Sequence, residues 1–113
     1  RRSDMRIAYH VSGSSCEISL IGELDHHAVK SAMQELHTRL DQTLPSTLGL
    51  DMRQVTFMDS SGIALILALY KRMRELDGTL RLLSLSAPAK KVLLAAGLDK
   101  IPDLRVSPKG GSV

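Results

Sequence analysis

Hydrophobic and polar residues alternate near the start of the chain and then change to a helical spacing. Residues 5–11 and 16–21 alternate loosely on either side of Ser12-Gly13-Ser14-Ser15, which predicts a β-hairpin. Asp25 follows and is well placed to cap a helix over about residues 26–41. This helix has one apolar stripe, formed by Val29, Met33, Leu36 and Leu40.

The rest of the chain alternates between short apolar runs and amphipathic segments. Leu44-Pro45-Ser46, Asp77-Gly78 and Ser86-Ala87-Pro88 are breaks between these segments, since Pro and Gly interrupt regular structure. The predicted elements are strands over residues 47–52, 79–85 and 103–106 and helices over about residues 61–76 and 88–96.

The predicted order of elements is β-β-α-β-α-β-α-β. Strands that alternate with helices need crossover connections, so the later strands should be parallel and the opening hairpin should make the sheet mixed. We therefore expect an α/β fold with a mixed sheet of four to five strands and helices packed on it. The 113 residues should form a single domain, with residues 107–113 as a disordered tail.

Composition places the chain among ordinary globular proteins, with 43% hydrophobic and 24% charged residues. No apolar run approaches the ~20 residues that span a bilayer, so we expect no membrane contact. Cys16 is the one cysteine, which rules out an internal disulfide and fits a reducing cytoplasm.

The basic character of the chain is weak evidence for nucleic-acid binding. The isoelectric point is near 9.3, but the net charge is only +3 and the basic residues are scattered among acidic ones. Two Tyr and one Phe provide little aromatic surface for base stacking. We expect no direct contact with nucleic acid.

Asp59-Ser60-Ser61-Gly62 joins an extended segment to the second helix and is the most informative part of the sequence. It places two hydroxyl groups at a helix N-terminus, where backbone N–H groups are unpaired and the helix dipole is positive. A phosphoryl group added there would meet a ready-made anion site. The simpler interpretation is an ordinary N-cap, because Asp and Ser are common capping residues.

The second helix carries more apolar surface than one side of a sheet can cover. One stripe packs on the sheet, and a second, rotated stripe contains Leu65 and Leu69. Either a neighbouring helix buries the second stripe or part of it is exposed beside Ser60 as a partner surface. Both interpretations stay open at the level of sequence.

No enzymatic constellation can be assembled from the sequence. The segment Met58–Gly62 departs from the Gly-x-Ser-x-Gly elbow of serine hydrolases, and nothing places His26 or His27 near Ser60. The four histidines form no i, i+4 pair, there is no Cys-x-x-Cys, and no glycine-rich phosphate loop is present. We expect a non-enzyme without metal or cofactor, on which another protein acts.

These segments resemble the STAS family, the domain shared by sulfate transporters and bacterial anti-sigma factor antagonists. Residues 22–27, Gly-Glu-Leu-Asp-His-His, resemble the family's entry to its first helix, including a His pair of the sporulation branch. Residues 57–62, Phe-Met-Asp-Ser-Ser-Gly, resemble its phosphorylation loop, and residues 86–93 and 96–98 its third helix and exit. One departure is the short glycine-rich segment after Val106, where members often have a fourth helix.

The resemblance implies an anti-sigma factor antagonist that works by partner switching. Such a protein binds an anti-sigma factor and frees the sigma factor; the anti-sigma factor is also a serine kinase that uses ATP and magnesium. Phosphorylation ends the complex and a serine phosphatase restores it. By position the acceptor is Ser60, with Ser61 less favoured, and the partner-binding residues are Asp25, Asp59, Ser60, Ser61, Gly62, Leu65 and Leu69.

Two other functions compete with this interpretation. A STAS subunit could dock on a membrane transporter assembly without being phosphorylated, although the His26-His27 pair and the intact Asp-Ser-Ser-Gly argue against it. A small serine hydrolase is a more distant alternative, which an ester substrate or a serine-directed probe would reveal.

Overall fold

The sheet is organised around its second strand, which has three strand neighbours. The computed structural model describes residues 5–100 and 104–106. Its strands are β1 (Arg6–Ser12), β2 (Ser15–Leu24), β3 (Thr47–Met52), β4 (Val55–Met58), β5 (Thr79–Leu85) and β6 (Leu104–Val106). Its helices are α1 (His26–Thr43), α2 (Ser60–Glu75) and α3 (Ala87–Ala95), followed by a 3-10 turn over Leu98–Lys100.

Five strands lie in the order β1-β2-β3-β5-β6, and β4 pairs separately with β2. Only β1 runs antiparallel to its neighbour, because a tight hairpin joins it to β2, whereas β3, β4, β5 and β6 pair in parallel. The predicted mixed α/β fold is confirmed. The predicted tail over residues 107–113 lies outside the described residues.

β4 is the one strand that the sequence pattern did not predict as a separate element. It follows β3 after only Arg53 and Gln54, and the Arg53 N–H donates to the Asp51 carboxylate across 3.1 Å. The Gly22 N–H donates to the Gln54 carbonyl across 3.0 Å, and the β2–β4 register shifts between Gly22 and Glu23. Gly22 has φ 108°, which disfavours any side chain, so glycine permits the bulge that brings β4 alongside β2.

The core lies between one face of the sheet and the two long helices. Leu48 and Leu50 on β3 are fully buried at its centre. α1 and α2 contact one another, and they pack on β2 and β5 respectively. The opposite face of the sheet carries exposed polar residues, including His10, Glu17 and Arg81. The sheet is therefore covered on one side.

The two leucines of the second apolar stripe of α2 are buried. Leu65 and Leu69 have no exposed surface, because α1 packs against α2. The expectation that these two leucines contact a partner was wrong in this structure, and the alternative interpretation, burial by a neighbouring helix, holds. The apolar character of α2 reflects its position between a sheet and a second helix.

Candidate functional site

Three helices begin at the same edge of the sheet. α1, α2 and α3 follow β2, β4 and β5 directly, and the carboxyl ends of parallel strands lie at one edge. Each helix has a side-chain N-cap that accepts a hydrogen bond from a backbone N–H. The bonds join Asp25 Oδ1 to Ala28 N (2.9 Å), Asp59 Oδ1 to Ser61 N (2.8 Å) and Ser86 Oγ to Ala89 N (3.3 Å).

The β2–β4 pairing brings two of these caps together. Leu24 lies opposite Met58 at the end of the paired segment, so Asp25 and Asp59 directly follow the ends of two neighbouring strands. Paired strands lie about 4.8 Å apart. The structure thus places next to one another two aspartates that are 34 positions apart in the sequence.

Ser60 is the first residue of α2 and is exposed. Its hydroxyl makes no hydrogen bond to any residue in the described ranges. Ser61 is only partly exposed, and its N–H is held by Asp59. Of the two hydroxyl groups, Ser60 is therefore the more accessible to a second protein.

Gly62 is buried and fixes the first turn of α2 against β4. A Cβ atom at this position would lie 2.7 Å from Met58 Cγ and 2.9 Å from Met58 Cε. Such distances require Met58 to move, so glycine allows the helix to sit directly on the strand. Gly62 was expected to contact a partner, but its burial assigns it to positioning Ser60.

The exposed face of α2 continues the site along the helix. Counting from Ser60 at spacings of four, three and four reaches Ala64, Leu67 and Lys71, all of which are exposed. Leu67 has 39% of its surface exposed. The sequence interpretation did not include Ala64 and Leu67 in the candidate site, although helical spacing from Ser60 points to them.

Phe57 is a second exposed apolar residue near the acceptor, two positions before Asp59. It lies on β4 opposite Glu23 and is 45% exposed. An aromatic side chain in this position is unusual among exposed residues and common in protein interfaces. Its position beside the loop was visible in the sequence, but its exposure depends on how β4 packs.

His26 and His27 are exposed residues of the first turn of α1, directly after Asp25. Neither histidine hydrogen-bonds Ser60 within the described part of the chain. Both are therefore surface residues at the start of α1.

Comparison with known proteins identifies the family. The STAS domain family matches residues 6–110. The chain belongs to the STAS domain family. The resemblance stated from the sequence is therefore confirmed, as is the fold.

Relatives of this STAS domain include anti-sigma factor antagonists. An anti-sigma F factor antagonist from Lysinibacillus sphaericus is 37% identical over 91 residues, which cover 78% of this chain and 75% of that protein. The anti-sigma factor antagonist SpoIIAA in its unphosphorylated form is 30% identical, with a TM-score of 0.74 over 91% of this chain and 87% of its own. The Bacillus cell fate determinant SpoIIAA in its phosphorylated form has a TM-score of 0.68 at 30% identity, over 91% and 90% of the two chains.

No helix in the described part of this STAS domain is both long enough and apolar enough to span a membrane.

Proposed function

We propose that this STAS domain is an anti-sigma factor antagonist whose binding is ended by phosphorylation of Ser60. In this proposal the domain binds an anti-sigma factor that is also an ATP-bound serine kinase, and a serine phosphatase reverses the modification. The names of its relatives and the two forms of SpoIIAA support the role. The observation that carries it here is the exposed Ser60 hydroxyl at the start of α2, beside Asp59 and Asp25.

The site has the features of a phosphate acceptor and not those of a catalyst. The kinase would supply ATP and magnesium, and the Ser60 oxygen would attack the γ-phosphorus as the bond to ADP breaks. The hydroxyl proton passes to a catalytic base of the kinase, and the carboxylates of Asp59 and Asp25 lie at the same edge of the sheet as Ser60. The positive end of the α2 dipole, at which Ser60 is the first residue, stabilises the added negative charge.

The added charge is sufficient to end a complex without a change in fold. Phosphoserine carries close to two negative charges at neutral pH. Facing a partner carboxylate or nucleotide phosphate about 4 Å away, each pair of unit charges costs about 4 kcal/mol at an effective dielectric near 20. This corresponds to about three decades in affinity, which releases a micromolar complex.

The partner surface should combine the acceptor with the exposed face of α2. Ala64 and Leu67 provide apolar contact in line with Ser60, and Asp25 and Asp59 provide charge at the helix start. Because the partner acts on a sigma factor, the proposal places this domain in the cytoplasm.

The test is incubation with the cognate anti-sigma kinase and Mg-ATP, followed by mass spectrometry of the phosphopeptide. We expect one phosphate, on Ser60, and we expect Ser60→Ala to abolish it. Ser61→Ala is the matched control, since it removes the neighbouring hydroxyl and should leave modification intact. Phosphate on Ser61 alone would contradict the assignment of the acceptor, and absence of phosphate would contradict the proposed switch.

A further inference from the structure

One long edge of the sheet has no strand beside it among the described residues. β1 pairs with β2 in an unbroken register, from Arg6 opposite Ile21 to Ser12 opposite Ser15, and its other side is unpaired. Proteins usually protect such edges with short strands, lysine, proline or bulges. β4 and β6 have four and three residues, whereas β1 has seven and contains neither Lys nor Pro. β1 is therefore the edge most able to accept another strand.

The hairpin determines which backbone groups of β1 point outward. A two-residue turn over Gly13 and Ser14 joins Ser12 to Ser15, and residues of an antiparallel pair alternate between inward and outward hydrogen-bonding groups. With Ser12 bonded inward at the turn, the outward groups belong to Ile7, Tyr9 and Val11. Ile7 and Val11 lie two positions before and two positions after Tyr9, so the three residues are placed symmetrically along the strand.

A second copy of β1 can satisfy all of these groups when it runs antiparallel with Tyr9 on a two-fold axis. Tyr9 then exchanges both backbone hydrogen bonds with Tyr9 of the second copy. Ile7 exchanges both of its backbone hydrogen bonds with Val11 of the second copy. On the open face of the sheet, Arg6 lies opposite Ser12 and His10 opposite Ala8. This register opposes no like charges, whereas centring on Ala8 would set Arg6 against His10.

The side chains on the helix side of β1 fit the same arrangement. Val11 is 50% exposed, although Ile7 and Tyr9 on the same face pack against the core. A groove of about 380 Å³ lies at the other end of β1, between this strand and α1. It is lined by Met5, Arg6, Ile7, Ala28, Ser31, Ala32 and Glu35. Pairing about Tyr9 brings Val11 of each copy to the groove of the other.

Charges beside the axis are complementary. The Tyr9 hydroxyl donates to Glu35 Oε2 across 2.9 Å, and the Arg39 guanidinium lies 3.9 Å from the centre of the Tyr9 ring. Because Tyr9 lies on the axis, the two-fold operation brings Glu35 of one copy towards Arg39 of the other. A foreign peptide strand would satisfy the backbone but would not supply this reciprocal match.

We propose that this chain forms a symmetric dimer by antiparallel pairing of β1 with β1 of a second copy, centred on Tyr9, with Val11 of each copy in the groove of the other. Tyr9 is paired with Ile18, and Asp25 lies seven residues further along β2. At about 3.3 Å per residue the proposed acceptor site lies about 23 Å from the axis. Both acceptor sites of the dimer remain free.

Sedimentation equilibrium of the purified full chain tests the dimer without any other protein. We expect a concentration-dependent dimer that Val11→Lys weakens by at least about ten-fold, since the substitution places a charge in an apolar groove. Leu94→Lys is the matched control, because Leu94 is 47% exposed on α3, which packs on β4 away from β1. A monomeric wild type, or equal dissociation constants for Val11→Lys and wild type, would overturn the proposal.

Cross-linking tests the register and remains decisive if Val11→Lys fails to fold. Opposed residues in a hydrogen-bonded pair have Cα atoms about 5.5 Å apart, within reach of a disulfide. Tyr9→Cys should therefore form a disulfide dimer under mild oxidation, whereas Val11→Cys should not, because its symmetry mate lies about 13 Å away. The native Cys16 is buried and should stay reduced. The reverse pattern, or no cross-link with Tyr9→Cys, would overturn the register, while the phosphorylation of Ser60 is judged independently.

Discussion

Asp25 and Asp59 each combine two properties in one side chain. Both carboxylates hold the start of a helix through a backbone N–H, and both lie at the edge where the acceptor hydroxyl is exposed. Capping needs only an oxygen that accepts a hydrogen bond, which Asn also provides. A negative charge beside Ser60, in contrast, needs the carboxylate of Asp. Substitution can therefore separate the structural role from the functional one.

We predict that Asp25→Ala lowers the free energy of unfolding by about 1 kcal/mol, because the Ala28 N–H loses its cap. Asp25→Asn should retain most of this stability, yet it should weaken kinase binding or slow phosphorylation. Denaturant titration of both variants, with a phosphorylation time course, measures the two effects. Phosphorylation and binding of Asp25→Asn at wild-type levels would show that Asp25 is only a cap.

Charge at Ser60 should be sufficient to weaken the anti-sigma complex. Ser60→Asp introduces one negative charge, about half that of phosphoserine, so we predict a loss of about one to two decades in affinity. Ser60→Ala should bind well and resist phosphorylation. Titration of both variants against the nucleotide-bound anti-sigma factor measures the difference, with circular dichroism to confirm folding. Equal affinities would exclude a switch that acts through charge at this position.

At the scale of elements, α2 has one buried side and one exposed side, and each side carries a leucine whose substitution tests its role. Leu69 is fully buried, whereas Leu67 is 39% exposed in line with Ser60. We predict that Leu69→Ala costs about 2–5 kcal/mol of stability through the cavity it leaves. Leu67→Ala should change stability by less than about 0.5 kcal/mol but should weaken the anti-sigma complex.

Denaturant unfolding and a binding titration on the same two variants separate these roles. Unchanged partner affinity for Leu67→Ala would remove this face of α2 from the proposed interface.

Elements with a strong local pattern were predictable from the sequence. The strands over residues 47–52 and 79–85 have the predicted bounds, and α1 and α2 begin within one residue of their expected starts. These elements are marked by caps, Pro, Gly and apolar periodicity, which are local signals. β4 is only four residues long and follows β3 after two residues, so the extended segment before Asp59 could not be recognised from the sequence as a strand with its own pairing.

The features of the site that are encoded in one short segment were predictable from the sequence. The features that depend on how distant elements pack together were not. The hydroxyl groups at the start of α2 follow from Asp59-Ser60-Ser61-Gly62, whereas the preference for Ser60 as the proposed acceptor comes from the family resemblance. The neighbouring position of Asp25 depends on the β2–β4 pairing, and the burial of Leu65 and Leu69 depends on α1. Periodicity identifies an apolar stripe but does not say which neighbour covers it.

At the scale of the whole molecule, the helices cover one face of the sheet and their N-termini meet at one edge. The parallel centre of β2, β3 and β5 provides the buried framework. α3 contributes Ala89 and Leu93 to the core and packs on β4. The proposed acceptor site thus lies at the edge of this buried framework, and the free strand β1 lies on another side of it.

The short pairing of β4 has a consequence for the rates at which parts of the molecule open. β3 has strand neighbours on both sides, so its amide hydrogens should exchange with solvent only when the whole domain unfolds. β4 is held by β2 over a few residues, next to a bulge, and should exchange through a smaller local opening. Such an opening would release the segment up to Ser60 while the centre stays folded. Under the proposed switch, the kinase would then draw Ser60 into its active site at a small fraction of the free-energy cost of unfolding the domain.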